Sequence, residues 1–313
     1  MKGLELSRKY FEECALPVLR AEFSDLLPFL AVGLVGSGSE CFGFDDEVSR
    51  DHDFEAGFCI FLPEEDVVSR ADAFRLERAY SKLPKTFLGV ERSLINPVGG
   101  NRHGVLRTAD FYRSHTGSPD GKLSVDAWLN LPEHALCEAV NGAVFYDGFG
   151  EFSAIRERLA FYPREIALKK LAGHLLLMGQ SGQYNYPRSL ARGDTAAAQL
   201  AVFEFVKSAM SVLFLLEKTY QPYYKWAFCA LKKLPQMGKI PEQLEFLLSS
   251  GNTPDLAREK TALIEEICKT VTQRIAAEGI CNVPTDDLEK AAYAVNGKIT
   301  DHSLRNRHVL AGV

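Results

Sequence analysis

The stretch AVGLVGSGSECFGFDDEVSRDHDFEAGFCIFL, residues 31–62, decides how the first half of this chain folds. It opens with the apolar run AVGLV, a pattern typical of a buried strand that enters a tight loop. It closes with residues 51–62, in which Asp51, Asp53 and Glu55 recur at a period of two. Because alternate residues of a strand project from one face, we predict a second strand that carries three carboxylates on one face.

The loop between these strands carries Gly36 and Ser37, and thirteen residues separate Ser37 from Asp51. A glycine lets a phosphate approach the backbone closely, and such a turn presents N–H groups and a hydroxyl to phosphate oxygens. Two carboxylates on one strand face can hold Mg²⁺, which prefers oxygen ligands, and two such metals stabilise displacement at phosphorus. We therefore predict Asp51 and Asp53 as metal ligands and catalytic residues, with Gly36 and Ser37 as phosphate contacts.

This arrangement resembles the DNA polymerase β-type nucleotidyltransferase superfamily, in which an apolar residue, Gly-Ser, a short gap and Asp-x-Asp on a strand recur. Antibiotic adenylyltransferases that act on aminoglycosides and lincosamides are members. Residues 30–235 are also similar to a bacterial family of unknown function in this superfamily. That similarity rests on the phrases LVGSGSECFGFDDEVSRDHDFEAGFCIF, GEFSAIRERLAFYPREIALKK, GQYNYPR and YQPYYKW.

The resemblance implies transfer of a nucleoside monophosphate from a nucleoside triphosphate, with ATP as the expected donor and Mg²⁺ as the cofactor. The acceptor would be a hydroxyl of a small molecule or of a protein, and pyrophosphate would be released. The superfamily normally adds a third carboxylate from a later strand, for which Asp110 and Asp126 are the candidates. Lys225, at the start of a predicted helix, is a candidate contact to the triphosphate or a lysine that extends into water.

Two alternatives stay open at this point. His52 stands where the superfamily usually has an apolar residue, and a shifted register, Asp53-Phe54-Glu55, restores that pattern but lengthens the gap. We favour Asp51 and Asp53, and Asp53 belongs to both registers. The second alternative is a nucleotide-binding or regulatory module of the same fold that has lost catalysis, since no obvious third carboxylate is present.

The predicted fold is α/β (α+β), with a minimal nucleotidyltransferase domain and a mixed sheet in residues 1–150, then an all-α helical bundle in 151–313. We expect the nucleotide in a cleft between the two domains. The clearest helices of the second half are 194–220, with Asp194 as its N-cap, and 253–278. Lys169 and Lys170 are expected on the surface, and the last dozen residues are expected to be loosely held.

Composition excludes several classes of protein. A net charge of −5 and a pI of about 5.9 make nucleic acid an unlikely partner. The seven cysteines are dispersed, and the N-terminus has no signal-peptide pattern, so we expect a cytoplasmic protein. The apolar segment 196–216 contains Glu204 and Lys207, and we predict a buried core helix and no membrane span.

Overall fold

The structure, a computed structural model, describes residues 1–48, 55–92, 103–282 and 285–313. Its strands are β1 (Ala31–Leu34), β2 (Cys59–Leu62), β3 (Thr86–Phe87), β4 (Val90–Glu91), β5 (Gly104–Arg107) and β6 (Ala143–Asp147). Its α-helices are α1 (Gly3–Tyr10), α2 (Leu16–Glu22), α3 (Ser39–Phe42), α4 (Arg70–Lys82), α5 (Thr108–Thr116), α6 (Val125–Asn130), α7 (Glu133–Val140), α8 (Glu151–Arg158), α9 (Arg164–Met178), α10 (Tyr186–Ala191), α11 (Thr195–Leu216), α12 (Tyr224–Leu231), α13 (Ile240–Ser249), α14 (Pro254–Ala277), α15 (Leu288–Asn296) and α16 (His302–Arg305). Two π-helical segments, Phe11–Ala15 and Gly179–Asn185, connect α1 to α2 and α9 to α10.

A mixed sheet forms the centre of the first compact unit, which consists of Met1–Leu123 and Pro132–Ala160. Its strand order is β5-β2-β1-β6. Strand β1 is antiparallel to both of its neighbours, whereas β2 and β5 are parallel. The predicted mixed, partly antiparallel sheet in the first half of the chain is therefore confirmed.

The two faces of this sheet are buried by different helices. On one face, Tyr10 and Phe11 contact Phe58, and the Tyr80 hydroxyl of α4 donates to the Phe58 carbonyl at 2.9 Å. On the other face, Phe61 of β2 stacks on Phe152 of α8 with ring centroids 4.2 Å apart. Because successive strand residues point to opposite faces, the continuous apolar run of β2 fills both cores at once.

The second compact unit, Ser124–Leu131 and Phe161–Val313, contains helices as its regular elements wherever the structure describes it. Helix α11 lies at its core, and the Asp194 side chain caps it by accepting from the Ala197 N–H at 2.9 Å. Helix α14 begins with Pro254 in its first turn and lies within the segment predicted as helical, 253–278. The α+β domain followed by a helical region is confirmed.

Helix α11 is also the one described helix that is long and apolar enough to cross a membrane. In the most apolar window of that helix, 67% is buried inside the protein. A core helix of a globular unit has the same composition, because it must bury apolar side chains on every side.

The border between the units differs from the predicted boundary near residue 150. Helix α8 belongs to the first unit, because Phe152 packs against the sheet. Helix α6 belongs to the second unit, because Trp128 packs against Tyr162 with ring centroids 5.8 Å apart. A short helix belongs to the unit in which its largest apolar side chain is buried. The order of residues in the sequence does not show which unit that is.

Two lysines expected on the surface are buried in α9. Lys169 Nζ donates to Asn296 Oδ1 at 3.0 Å and to the Arg307 carbonyl at 2.8 Å. Lys170 Nζ donates to the carbonyls of Leu129 at 3.1 Å and Gly312 at 2.7 Å. These bonds fasten the C-terminal residues to α9, so the expectation of a loosely held terminus was also wrong.

Candidate functional site

Four strand ends of the first unit meet at one edge of the sheet. In the register, Gly33 lies opposite Cys59, Cys59 opposite Gly104, and Leu34 opposite Ala143. The end of β1 therefore lies beside the beginnings of β2, β5 and β6. We call this the turn edge, defined by the residues that flank these ends: Gly36, Glu55, His103 and Asn141.

The Gly-Ser turn follows β1 directly and leads into α3. Gly36 has a φ of 101° and Gly38 a φ of 124°, values that side-chain-bearing L residues rarely adopt. Ser37, between them, is exposed. The two glycines thus allow the chain to reverse while the Ser37 hydroxyl stays accessible to a ligand.

The backbone of Gly36 is held by the side chain of Asn141. The Gly36 N–H donates to Asn141 Oδ1 at 2.8 Å, and Asn141 Nδ2 donates to the Gly36 carbonyl at 2.7 Å. The Gly36 N–H, which the sequence assigned to a phosphate, is already used inside the protein. Of the two predicted phosphate contacts, the Ser37 hydroxyl remains available to a phosphate. Gly36 instead provides the backbone conformation of the turn.

The loop that carries Asn141 is itself fixed. Arg156 Nη1 donates to the Asn141 carbonyl at 2.6 Å, and Nη2 donates to the Gly142 carbonyl at 3.3 Å. The Gly142 N–H donates to the Cys41 carbonyl at 2.9 Å, and a Cβ at residue 142 would lie 2.0 Å from the Leu34 carbonyl oxygen. Burial lowers the pKa of Arg156, which nevertheless stays charged. This loop therefore contacts the turn at Gly36 and the following helix α3 at Cys41, and a larger residue at 142 would not fit.

Glu55 and His103 form a close pair at the same edge. His103 Nδ1 lies 2.6 Å from Glu55 Oε1, and the side chains are only 12% and 15% exposed. The pair depends on Gly57, because a Cβ there would lie 2.6 Å from the His103 ring. Because Gly57 has no side chain, the His103 imidazole can pack directly against its backbone.

The acidic strand is shorter than predicted. Strand β2 covers only Cys59–Leu62, and Glu55 lies outside it. The period-two argument therefore fails for Glu55, whose carboxylate faces His103. Asp51 and Asp53 lie outside the described residues, so their predicted metal ligation stays a prediction.

A second histidine–carboxylate pair lies close to the turn. His115 Nδ1 is 2.9 Å from the Phe111 carbonyl oxygen, which can only accept, so Nδ1 carries the hydrogen in this bond. His115 Nε2 lies 3.8 Å from Glu138 Oε2, and a Cβ at Gly36 would lie 3.9 Å from the same nitrogen. One imidazole nitrogen therefore faces the Gly-Ser turn.

The two candidates for the third carboxylate lie on helices and not on a strand of the sheet. Asp110 lies in the first turn of α5, beyond the opposite end of β5, and pairs with Arg113 at 2.6 Å. Asp126 lies on α6 in the second unit and pairs with Arg307. Both carboxylates are mainly exposed, at 67% and 69%.

Lys225 lies in the first turn of α12 in the second unit and is exposed. Its Nζ lies 5.4 Å from the centroid of the Trp226 ring, a cation–π distance. The ammonium group is therefore accessible to a ligand, and its predicted contact with a triphosphate stays a prediction.

A cavity of about 720 Å³ in the first unit is lined by Phe23 and by Arg75 and Arg78 of α4. None of its lining residues belongs to the Gly-Ser turn. Within the described ranges, no group of three or more His, Cys, Asp and Glu residues could hold a metal ion. The metal donors in the prediction belong to residues 49–54, which are not among these ranges.

Sequence reasoning missed the residues that surround the turn, namely His103, His115, Glu138, Asn141 and Arg156. One signal was available for Asn141, because an Asn-Gly pair, which marks turns, immediately precedes β6. The partners of the two histidines lie 48 and 23 residues away in the chain, and no local pattern connects them.

Comparisons with known proteins give a family match and a similarity to solved structures. The model of a family described as a domain of unknown function, DUF4037, matches residues 128–227, about a third of the chain. No curated protein matches. Among solved structures, the chain is similar to the crystal structure of a nucleotidyltransferase-like protein from Exiguobacterium sibiricum 255-15, with 10% sequence identity and a TM-score of 0.37. That similarity covers 84% of this chain and 78% of the other.

Proposed function

We propose that this protein transfers a nucleoside monophosphate from a nucleoside triphosphate, with ATP as the donor, to a hydroxyl group of an acceptor. Asp51 and Asp53 would hold Mg²⁺, and the turn at Ser37 would contact the phosphates. Lys225 is a further candidate contact. The acceptor would be a small molecule or a protein side chain.

One observation carries the proposal: the antiparallel register of β1 and β2. It places the Gly-Ser turn and the residues that enter β2 at the same edge of the sheet. Glu55 is at this edge, and Asp53 precedes it by two residues in the sequence. A hydroxyl for phosphate and carboxylates for a hard cation are the two requirements of phosphoryl-transfer chemistry, which is mostly positioning and neutralisation of charge.

The contact between Glu55 and His103 supports one register of the acidic motif. Oε1 of Glu55 lies 2.6 Å from a nitrogen of the His103 ring, so one of the two carboxylate oxygens is engaged before any cation binds. The register Asp53/Glu55 would use this engaged carboxylate, whereas Asp51/Asp53 would not. We therefore propose Asp51 and Asp53 as the metal ligands.

In the proposed reaction, the acceptor oxygen forms a bond to the α-phosphorus, and the bond between that phosphorus and the β-phosphate oxygen breaks. Pyrophosphate leaves, and the hydroxyl proton passes to solvent. Bound Mg²⁺ would neutralise phosphate charge. The Ser37 hydroxyl would donate to a phosphate oxygen, and Asn141 would keep the turn in place.

A second candidate function is a nucleotide-binding module without transfer activity. It is favoured by the absence of any aspartate or glutamate in residues 92–107, the segment that leads into and forms β5. Strand β5 is the neighbour of β2, and His103 occupies the position immediately before it. If no third carboxylate reaches the metal, binding would persist and transfer would be slow.

The test combines binding and chemistry on the full chain. Thermal melts with and without Mg-ATP should show stabilisation of the wild type, because a ligand that binds only the native state raises the melting temperature. Asp53→Asn should lose this stabilisation, while the exposed control Asp25→Asn, which also removes one carboxylate, should keep it. Full stabilisation of Asp53→Asn by Mg-ATP would exclude the acidic segment as the metal site.

The chemistry is tested with α-labelled ATP and cell extract separated into small-molecule and macromolecular fractions. Transfer of label to either fraction, together with released pyrophosphate, identifies an enzyme and the class of its acceptor. Stabilisation by Mg-ATP with no label transferred to any fraction would favour the binding module.

A further inference from the structure

We infer that Asn141 is the positioning residue of the Gly-Ser turn, and this inference rests on the proposed function of that turn. Asn141 would hold Gly36 in the single conformation in which the Ser37 hydroxyl faces the ligand. It would touch neither nucleotide nor metal and would act only through Gly36.

The geometry requires an amide at this position. Asn141 accepts from the Gly36 N–H at 2.8 Å and donates to the Gly36 carbonyl at 2.7 Å. Only a side chain with a donor and an acceptor on one planar group can make both bonds at once. The amide thus gives Gly36 the pair of bonds that a neighbouring strand would otherwise supply, at a point where β1 has already ended.

Gly36 needs such support because of its conformation. With a φ of 101° and no side chain, it has a wide range of backbone states in the absence of a partner. The two bonds from Asn141 restrict this range before any ligand arrives. A site that is already ordered does not lose that conformational entropy on binding, so it binds more tightly.

The support behind Asn141 is independent of the turn. Arg156 of α8 donates to the carbonyls of Asn141 and Gly142, and the Gly142 N–H donates to the carbonyl of Cys41 in α3. Helix α8 is anchored in the core by Phe152, which stacks on Phe61 at 4.2 Å. Asn141 thus connects the turn to the packed core of the unit, which fixes the position of the turn.

The test uses Asn141→Ala, with Tyr10→Phe as the matched control. Tyr10 is buried in the same unit, donates to the Pro84 carbonyl at 2.8 Å and accepts from Arg92 Nη1 at 2.8 Å, so its variant also removes two hydrogen bonds but leaves the turn untouched. We expect both variants to lower the melting temperature. Only Asn141→Ala should weaken Mg-ATP binding, by about tenfold or more, measured by calorimetry well below either melting temperature.

Hydrogen exchange gives a readout that needs no nucleotide. The Gly36 amide should exchange slowly in wild type and in Tyr10→Phe, and much faster in Asn141→Ala. Slow exchange in Asn141→Ala, or Mg-ATP affinity equal to that of the wild type, would overturn the inference. A wild type that does not bind Mg-ATP but shows the expected exchange would instead refute the proposed function and leave the Asn141–Gly36 contact established.

If Asn141→Ala does not fold, Asn141→Asp tests the same role of Asn141. It keeps an acceptor for the Gly36 N–H and loses the donor to the Gly36 carbonyl. Exchange at Gly36 should stay slow while Mg-ATP affinity falls, and the fall should persist at 1 M salt, where a charge effect is largely screened. Unchanged affinity at high salt would overturn the inference.

Discussion

The ammonium group of Lys170 donates a 2.7 Å hydrogen bond to the carbonyl of Gly312, the penultimate residue of the chain. The bond joins the middle of a core helix to the C-terminus. A Cβ on Gly173, one turn along α9, would lie 2.8 Å from the Val313 side chain, so the terminus also packs tightly against this helix. The last residues are therefore part of the second unit's core.

We predict that deleting residues 306–313 destabilises the protein by several kcal/mol. Lys169 and Lys170 would each lose one carbonyl acceptor and keep another, at Asn296 and Leu129, and a hydrogen bond to a charged group contributes about 1.5–3 kcal/mol. Urea unfolding measures the change. In a chain that carries Lys170→Met, the same deletion should cost less. An equal cost in both backgrounds would show that Lys170 does not mediate the effect.

The favoured register of the acidic motif, Asp51/Asp53, predicts that substitutions of Asp53 and Glu55 affect Mg-ATP binding differently. Asp53→Asn should abolish stabilisation by Mg-ATP and reduce any transfer at least about a hundredfold, the scale of one preorganised electrostatic contact. Glu55→Gln should keep stabilisation by Mg-ATP, because that carboxylate is engaged by His103. Thermal melts and pyrophosphate release measure both. Loss of binding in Glu55→Gln as well as in Asp53→Asn would favour the register Asp53/Glu55.

We predict that any side chain at residue 36 lowers the free energy of unfolding, because of the backbone conformation of the Gly-Ser turn. Its φ of 101° lies outside the left-handed region, near +50° to +70°, that L residues can occupy. Gly36→Ala should cost about 1–3 kcal/mol. Gly43, with a φ of 66° and open space around it, is the control, and Gly43→Ala should cost less. Equal costs from chemical denaturation would contradict the backbone argument.

Helix α11 offers a matched pair of leucines. Leu213 is 1% exposed and Leu200 is 68% exposed on the same helix. Leu213→Ala should cost about 2–5 kcal/mol through lost burial and a residual cavity. Leu200→Ala should change the free energy of unfolding by less than about 0.5 kcal/mol. A loss below that limit at Leu213 would mean that the helix is not central.

His174 of α9 predicts a pH dependence of stability. Burial, reinforced by Lys170 and Lys207, lowers its pKa to about 3, and among the described residues its Nδ1 has no hydrogen-bond partner. Between about pH 6.5 and pH 3 the unfolded chain binds a proton that the native protein does not, so stability falls as pH decreases through that window. At pH 5 the loss is about 2 kcal/mol.

Chemical unfolding at pH 7 and pH 5 measures this loss in the wild type and in His174→Leu. The variant should lose about 2 kcal/mol less than the wild type over the same interval. Imidazole signals followed by nuclear magnetic resonance supply a direct control. A His174 ring that titrates near pH 6 in the folded protein would refute the prediction.

Local pattern in the sequence was enough for several elements. The run AVGLV was placed correctly as a strand, and Asp194 and Pro254 lie at the starts of the long helices predicted over 194–220 and 253–278. Each of these signals is carried by neighbouring residues, so no knowledge of the rest of the chain is needed. The acidic strand was overextended, because alternation continues through Glu55 although pairing with β1 starts only at Cys59.

The sequence by itself determined the chemical inventory: a Gly-Ser turn, two aspartates close to a strand, and helices long enough to form a second unit. Tertiary structure alone decided which groups meet. It joined Asn141 to Gly36 across 105 residues and His103 to Glu55 across 48, and it buried Lys169 and Lys170 beneath the C-terminus. The physical reason is that hydrogen-bond partners and burial depend on distances in space, which are set when the sheet and helices pack and which no local periodicity encodes.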